Sequence, residues 1–122
     1  MSIKRSELLV LLVVMVVAMS AGQWLRGSRP AGSDEQGAAL RAAVQPGELQ
    51  MISSTTCAYC TKARLWLTEQ QVPFDECFVE TNAACRQRWL AVGAQATPTF
   101  VVGRSAVLGL DVPRLIELAQ AQ

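Results

Sequence analysis

The strongest pattern along the chain is an unbroken apolar run from Leu8 to Val17, preceded by Lys4 and Arg5 and followed by the softer stretch Ala18–Leu25. A charged start, a short apolar core and small residues at Ala18 and Ser20 match a secretory signal cut before Ala21. Counted from Leu8 to Leu25, the same segment is long enough to span a bilayer, with Trp24 where interfacial aromatics belong. Both readings export the remainder of the chain, and the short tail favours a cytoplasmic N-terminus. Residues 1–25 are therefore expected to be a signal anchor or signal peptide. From 26 to 47 the composition turns to Ala, Gly, Ser, Pro and isolated charges, which is expected of a flexible linker with at most a short helix over 35–44.

From 48 to 122 the periods become those of a folded domain. Leu49–Ile52 reads as a strand, ended by the turn cluster Ser53–Thr56. A helix over 57–71 follows, with Thr56 as its expected N-cap and Cys60, Ala63 and Leu67 on its apolar face, widened by Tyr59 and Trp66. Val72 and Pro73 end it. Phe74–Val79 alternates as a strand with Cys77 and Val79 on one face. The stretch 81–92 reads as a helix closed by Gly93, with Cys85, Trp89 and Val92 on its buried stripe. Two short strands, Thr99–Val102 and Ser105–Leu108, flank the Gly103–Arg104 turn, and Asp111 caps a last helix to about Ala119. The order β-α-β-α-β-β-α implies an α/β fold with a mixed sheet covered by helices.

Composition narrows the chemistry. Eleven basic residues against ten acidic leave no run of like charge, so nucleic acid is an unexpected partner. Histidine is absent from all 122 residues, which removes Ser-His and Cys-His catalysis and Cys₂His₂ zinc sites. Four cysteines remain, two of them in the stretch Thr55-Thr56-Cys57-Ala58-Tyr59-Cys60. A helix start at Cys57 places that sulfur near free backbone N–H groups, which lower a thiol pKa, while Cys60 lies one turn further in and better shielded. That asymmetry suits disulfide exchange. A crosslink over so short a loop constrains little chain, and zinc would need a second close cysteine pair, so no metal site is expected.

The CxxC between strand and helix, with Ala96-Thr97-Pro98-Thr99-Phe100 opening the third strand, resembles the thioredoxin fold, and the short domain resembles glutaredoxins. The resemblance implies a thiol-disulfide oxidoreductase: Cys57 as nucleophile, Cys60 as resolving thiol, a cis Pro98 beside the dithiol, and a Thr97 backbone that pairs with substrate. It also implies disulfide-bearing proteins as partners, glutathione as a candidate co-substrate, and no resident cofactor. The frequent Cys-Pro-Tyr-Cys is Cys57-Ala58-Tyr59-Cys60 here, and a glycine pair before the last helix is reduced to Gly109. Asp111 is placed to meet a glutathione amino group or simply to cap the helix, and Tyr59 to rim the substrate groove. The alternative is a thioredoxin-fold module that binds a metal or partner without turnover; glutathione-dependent monothiol chemistry, with Cys60 dispensable, is another.

Cys77 and Cys85 are expected to form a strand-to-helix disulfide, with buried thiols or a relay to the CxxC as alternatives. Lys62 and Arg64 read as solvated charges, and Trp66 and Trp89 as core. The expected location is extracytoplasmic, in the periplasm: anchored through 8–25, or released or secreted if that segment is cut.

Overall fold

The computed structural model describes residues 4–24 and 31–122, in two units divided between Pro30 and Ala31. In the first, Arg5–Trp24 forms a helix, α1, whose side chains from Leu8 to Val17 are all more than half exposed. Among the described residues no helix is long and apolar enough to cross a membrane. The uninterrupted run Leu8–Val17 rises only about 15 Å as a helix, roughly half a hydrocarbon core. The span expected over 8–25 is thus not found as a membrane-crossing helix; its outer end, including the Trp24 side chain and Leu25, lies outside the described residues.

The second unit is built around β1 (Leu49–Ser53), whose residues Leu49, Met51, Ile52 and Ser53 have no exposed surface. Helix α3 (Ala58–Glu69) carries the chain back so that β2 (Asp75–Phe78) pairs parallel with β1, Ser53 opposite Phe78. After α4 (Ala83–Ala91), the hairpin β3 (Thr99–Val102) and β4 (Ser105–Leu108) adds antiparallel to the other side of β1, giving the order β2-β1-β3-β4. Helix α5 (Val112–Gln120) closes the fold. The expected element order is the observed one, with boundaries shifted by a few residues.

Because strand side chains alternate, the sheet divides the core in two. On one face Leu49, Met51, Phe100 and Val102 meet Ala63 and Leu67 of α3 and Leu115 and Leu118 of α5. On the other, Ile52 and Val101 meet Cys85, with Cys77, Val79, Trp89 and Val92 packed around them. Of the stripe expected on α4 and its end, Cys85 is buried and Trp89 and Val92 are half-buried. Helix α4 stops at Gly93, where φ of +71° lets the Ala94 N–H reach the Trp89 carbonyl.

The expected linker 26–47 needs correction. Residues Ala31–Ala43 form a helix, α2, that belongs to the core: Leu40 is fully buried and Val44, just after it, nearly so. Its docking also uses polar groups. Gln70 donates from Nε2 to Asp34 at 3.1 Å, and Arg41 donates from Nη1 to the Gln70 carbonyl at 2.8 Å. The Gln70 side chain occupies the space a Cβ on Gly37 would need, so only glycine lets the two surfaces approach this closely.

A second correction concerns Arg64, expected as a solvated charge. It pairs in bidentate fashion with Glu76 of β2, Nε to Oε2 and Nη2 to Oε1 both at 2.6 Å. The buried Ser53 hydroxyl donates to the same carboxylate at 2.7 Å. Burial pushes the Glu76 carboxyl up, but the hydrogen bonds from Arg64 and Ser53 and the Arg64 charge outweigh it and hold the group below its ordinary value. The hydrogen bond to Glu76 correspondingly raises Arg64.

Two predictions test this architecture. Leu40→Ala is expected to cost about 3 kcal/mol of unfolding free energy, the usual cost of emptying a buried leucine site; an unchanged urea midpoint would show that α2 lies outside the core. For Glu76, the depressed folded value means that its stabilisation is complete above the unfolded value of about 4.3 and is lost as pH falls through the lower folded one. Glu76→Gln is expected to cost about 1 kcal/mol at pH 7, a pair still partly open to solvent being worth less than a fully buried one. The gap to wild type should narrow as pH falls below about 4, and a gap that stays equal down to acid unfolding would refute the linkage.

Candidate active site

The turn after β1 delivers the cysteine pair. The Ser54 carbonyl accepts the Cys57 N–H at 3.3 Å, turning the chain so that Cys57 stands at the head of α3. Cys57 itself is the N-cap: its φ and ψ of −96° and 106° are extended, and its Sγ accepts the Cys60 N–H at 3.1 Å. The cap expected at Thr56 thus sits one residue too early. Thr56 is exposed and its hydroxyl lies 3.5 Å from that of Ser54, so it is the sulfur that satisfies the free N–H of the first turn.

Cys57 and Cys60 are joined as a disulfide with their Cα atoms 5.2 Å apart. Their exposure differs sharply: Cys57 is half-buried, while Cys60 has no accessible surface and faces inward beside Ala63 and Leu67. Tyr59, expected to widen the helix's buried face as well as to rim the groove, is 74% exposed, with the Lys62 ammonium 5.7 Å from its ring centre. Successive helix positions diverge by about 100°, so the residue between two cysteines cannot share the face of the second.

Beside the pair runs a groove of about 540 Å³, lined chiefly by Tyr59, Lys62, Trp66, Thr97, Pro98 and Leu108. Its far wall is the turn before β3, where the Thr97–Pro98 peptide bond is cis. Three hydrogen bonds hold that wall. The Ala96 carbonyl accepts from Trp89 Nε1 at 3.2 Å and from Thr99 Oγ1 at 2.7 Å, and the Pro98 carbonyl accepts the Gly109 N–H at 2.9 Å. The structure so brings Tyr59, Thr97 and Pro98 together along one groove, which reaches the CxxC through Tyr59 and is lined by neither cysteine. Asp111 does not line it; the carboxylate accepts the Arg114 N–H at 3.1 Å and caps α5.

Cys77 and Cys85 form a second disulfide, with Cα atoms 5.9 Å apart, on the sheet face opposite α3. It links β2 to the first turn of α4, where Asn82 Oδ1 caps the Cys85 N–H at 3.0 Å. Among the described residues no cysteine is free and no cluster of three or more His, Cys, Asp or Glu could hold a metal ion.

Glu80 was not anticipated. Its carboxylate accepts from the Ser54 hydroxyl through Oε1 and from the Thr55 N–H through Oε2, the latter at 3.2 Å, gripping the turn that leads into Cys57. The Ser54 hydrogen bond holds its carboxyl below the ordinary value. The signal lay in topology: with Ser53 paired parallel to Phe78, the second residue beyond each partner, Thr55 and Glu80, falls at the same sheet end.

Residues 49–107 match the glutaredoxin family profile. The crystal structure of the thioredoxin-like protein BC3987 aligns at 27% identity and TM-score 0.51 over 57% of this chain and 97% of that one. A mutant of the same protein aligns at 25% and 0.54 over 62% and 99%. The glutaredoxin Grx-1 from Archaeoglobus fulgidus aligns at 23% identity and TM-score 0.46, over 58% and 84%. No curated protein matches the sequence significantly. The four-stranded mixed sheet, the CxxC heading α3 and the match over 49–107 together make this chain a glutaredoxin-like protein of the thioredoxin fold.

Proposed function

We propose that the protein is a thiol-disulfide oxidoreductase working through Cys57 and Cys60. The observation that carries this reading is the unequal setting of the two sulfurs: Cys57 half-exposed at the helix cap with an N–H aimed at it, Cys60 wholly buried one turn below. In the reduced protein the Cys60 N–H and the N-terminal end of α3 stabilise a Cys57 thiolate. That thiolate attacks one sulfur of a substrate disulfide, forming a mixed disulfide and expelling the other sulfur as a thiolate. The Cys60 thiolate then attacks Cys57 Sγ, closing the Cys57–Cys60 bond and releasing the second substrate thiolate. Two electrons pass from the dithiol to the substrate, and the same steps reversed oxidise a dithiol.

Substrate lies in the groove between Tyr59 and Thr97–Pro98. No hydrogen bond occupies the Thr97 N–H or carbonyl among the described residues, which leaves both for an extended segment of a protein disulfide or of glutathione. Lys62 offers a cation to a substrate carboxylate.

The domain works outside the cytosol, in the periplasm, with the apolar run of α1 as a signal that is removed or as a hold on the membrane surface that does not cross it. Support comes from the continuous exposed apolar surface of Leu8–Val17 and from two disulfides in one small domain, a usage that persists in oxidising compartments.

Cys57→Ser is expected to abolish exchange with a peptide disulfide, and Cys60→Ser to accumulate a mixed disulfide at Cys57 detectable by mass spectrometry; full turnover by the Cys57 variant would sink the mechanism. On fractionation of cells expressing the full chain, the protein is expected in the salt-washed membrane pellet or the periplasmic extract. Recovery in the cytosol with reduced cysteines would overturn the location.

A further inference from the structure

The connection between β2 and α4 does more than join them. Its residue Glu80 accepts from both Ser54 and Thr55, and the Val79 N–H just before it donates to the Ser53 carbonyl at 3.0 Å. Ser54 is the residue whose carbonyl holds the Cys57 N–H. A continuous chain of contacts therefore runs from the Glu80 carboxylate through the turn 54–57 to the capping sulfur. Glu80 in turn is fixed from behind. The Phe78 carbonyl accepts the N–H groups of Thr81 and Asn82, Arg86 Nε donates to the Val79 carbonyl at 3.0 Å, and the Cys77–Cys85 bond closes the segment that carries it.

We propose that Glu80 is a positioning residue for thiol exchange, holding the Ser54–Thr55 turn so that Cys57 stays over the first turn of α3, and that the Cys77–Cys85 crosslink keeps Glu80 within reach. The inference rests on Cys57 being the nucleophile. Glu80 is an exposed side chain, so burial gives it no part in the core; what it does is occupy two donors of the turn at once. Without it the Ser54 hydroxyl and Thr55 N–H turn to water, the turn samples other conformations, and Cys57 spends less time beneath the Cys60 N–H. The thiolate is then less stabilised. The charge of Glu80 acts in the opposite sense, since an anion beside the turn disfavours a thiolate. Position and charge thus move the Cys57 thiol in opposite directions, which makes the two separable.

The test uses the full chain with Cys57–Cys60 reduced and Cys77–Cys85 intact, with iodoacetamide alkylation of Cys57 followed across pH by residue-resolved mass spectrometry. In parallel, kcat/KM is measured on a peptide disulfide and stability by urea unfolding. Glu80→Ala is expected to shift the Cys57 alkylation profile to higher pH and to lower kcat/KM about tenfold, the scale of a loosened reactive geometry, with little change in the unfolding midpoint. Glu80→Gln, which retains a carbonyl acceptor for the turn without the charge, is expected to shift the profile to lower pH and recover most of the rate. In a Cys77→Ala/Cys85→Ala background, Glu80→Ala is expected to cost less than in wild type, since the loop is already loosened. Profiles that move to lower pH in both Glu80 variants would assign the residue to charge alone and overturn the proposal, as would wild-type kinetics in Glu80→Ala. A wild type that turns over no disulfide would overturn the exchange mechanism instead, and the alkylation profiles would still decide the role of Glu80.

Discussion

Strand β1 has to be buried on both faces at once, and the rest of the fold is the means of doing it. With β2 on one side and β3 on the other, its backbone hydrogen bonds are met within the sheet, but its side chains demand cover above and below. Helices α2, α3 and α5 supply one layer and α4 the other. The parallel pairing with β2 in turn requires a crossover, which α3 provides. The turn into that crossover leaves the end of β1 where backbone N–H groups are still unpaired, and the CxxC sits at this point. Its reactivity is thus a by-product of how a central strand hands the chain to a helix.

How legible was this in the sequence? The strands and the two main helices were: β1 and β3 show as short apolar runs bounded by turn residues, as strands buried on both faces do, and Cys60, Ala63 and Leu67 recur along α3. Helix α2 was not, because little of its docking surface is apolar. It attaches through Leu40 and Val44 and through Gly37 against the polar Gln70, and a glycine facing a glutamine has no periodic signature. A composition rich in Ala, Gly and Ser then reads as a tether.

The site shows the same division. The CxxC and the Thr97–Pro98 turn are local motifs, and the structure places Tyr59 of the one and Thr97 and Pro98 of the other on one groove. The capping atom was misread by one residue because hydroxyls are the habitual caps, whereas here a sulfur fills that place. The carboxylates were hidden for another reason. Glu76 meets Arg64 twelve positions away and Glu80 meets Ser54 twenty-six away, so neither partner can be found without the parallel register of β1 and β2.

The Ala96 carbonyl joins the two sides of the sheet. Trp89, on the helix layer that does not line the groove, holds this carbonyl and with it the wall opposite Tyr59 and Trp66. The width of the groove is thereby partly a property of the far side of the sheet. Substrate preference in such a protein can drift through residues that never touch a substrate, by tilting an indole on α4 rather than by altering any surface that the substrate meets.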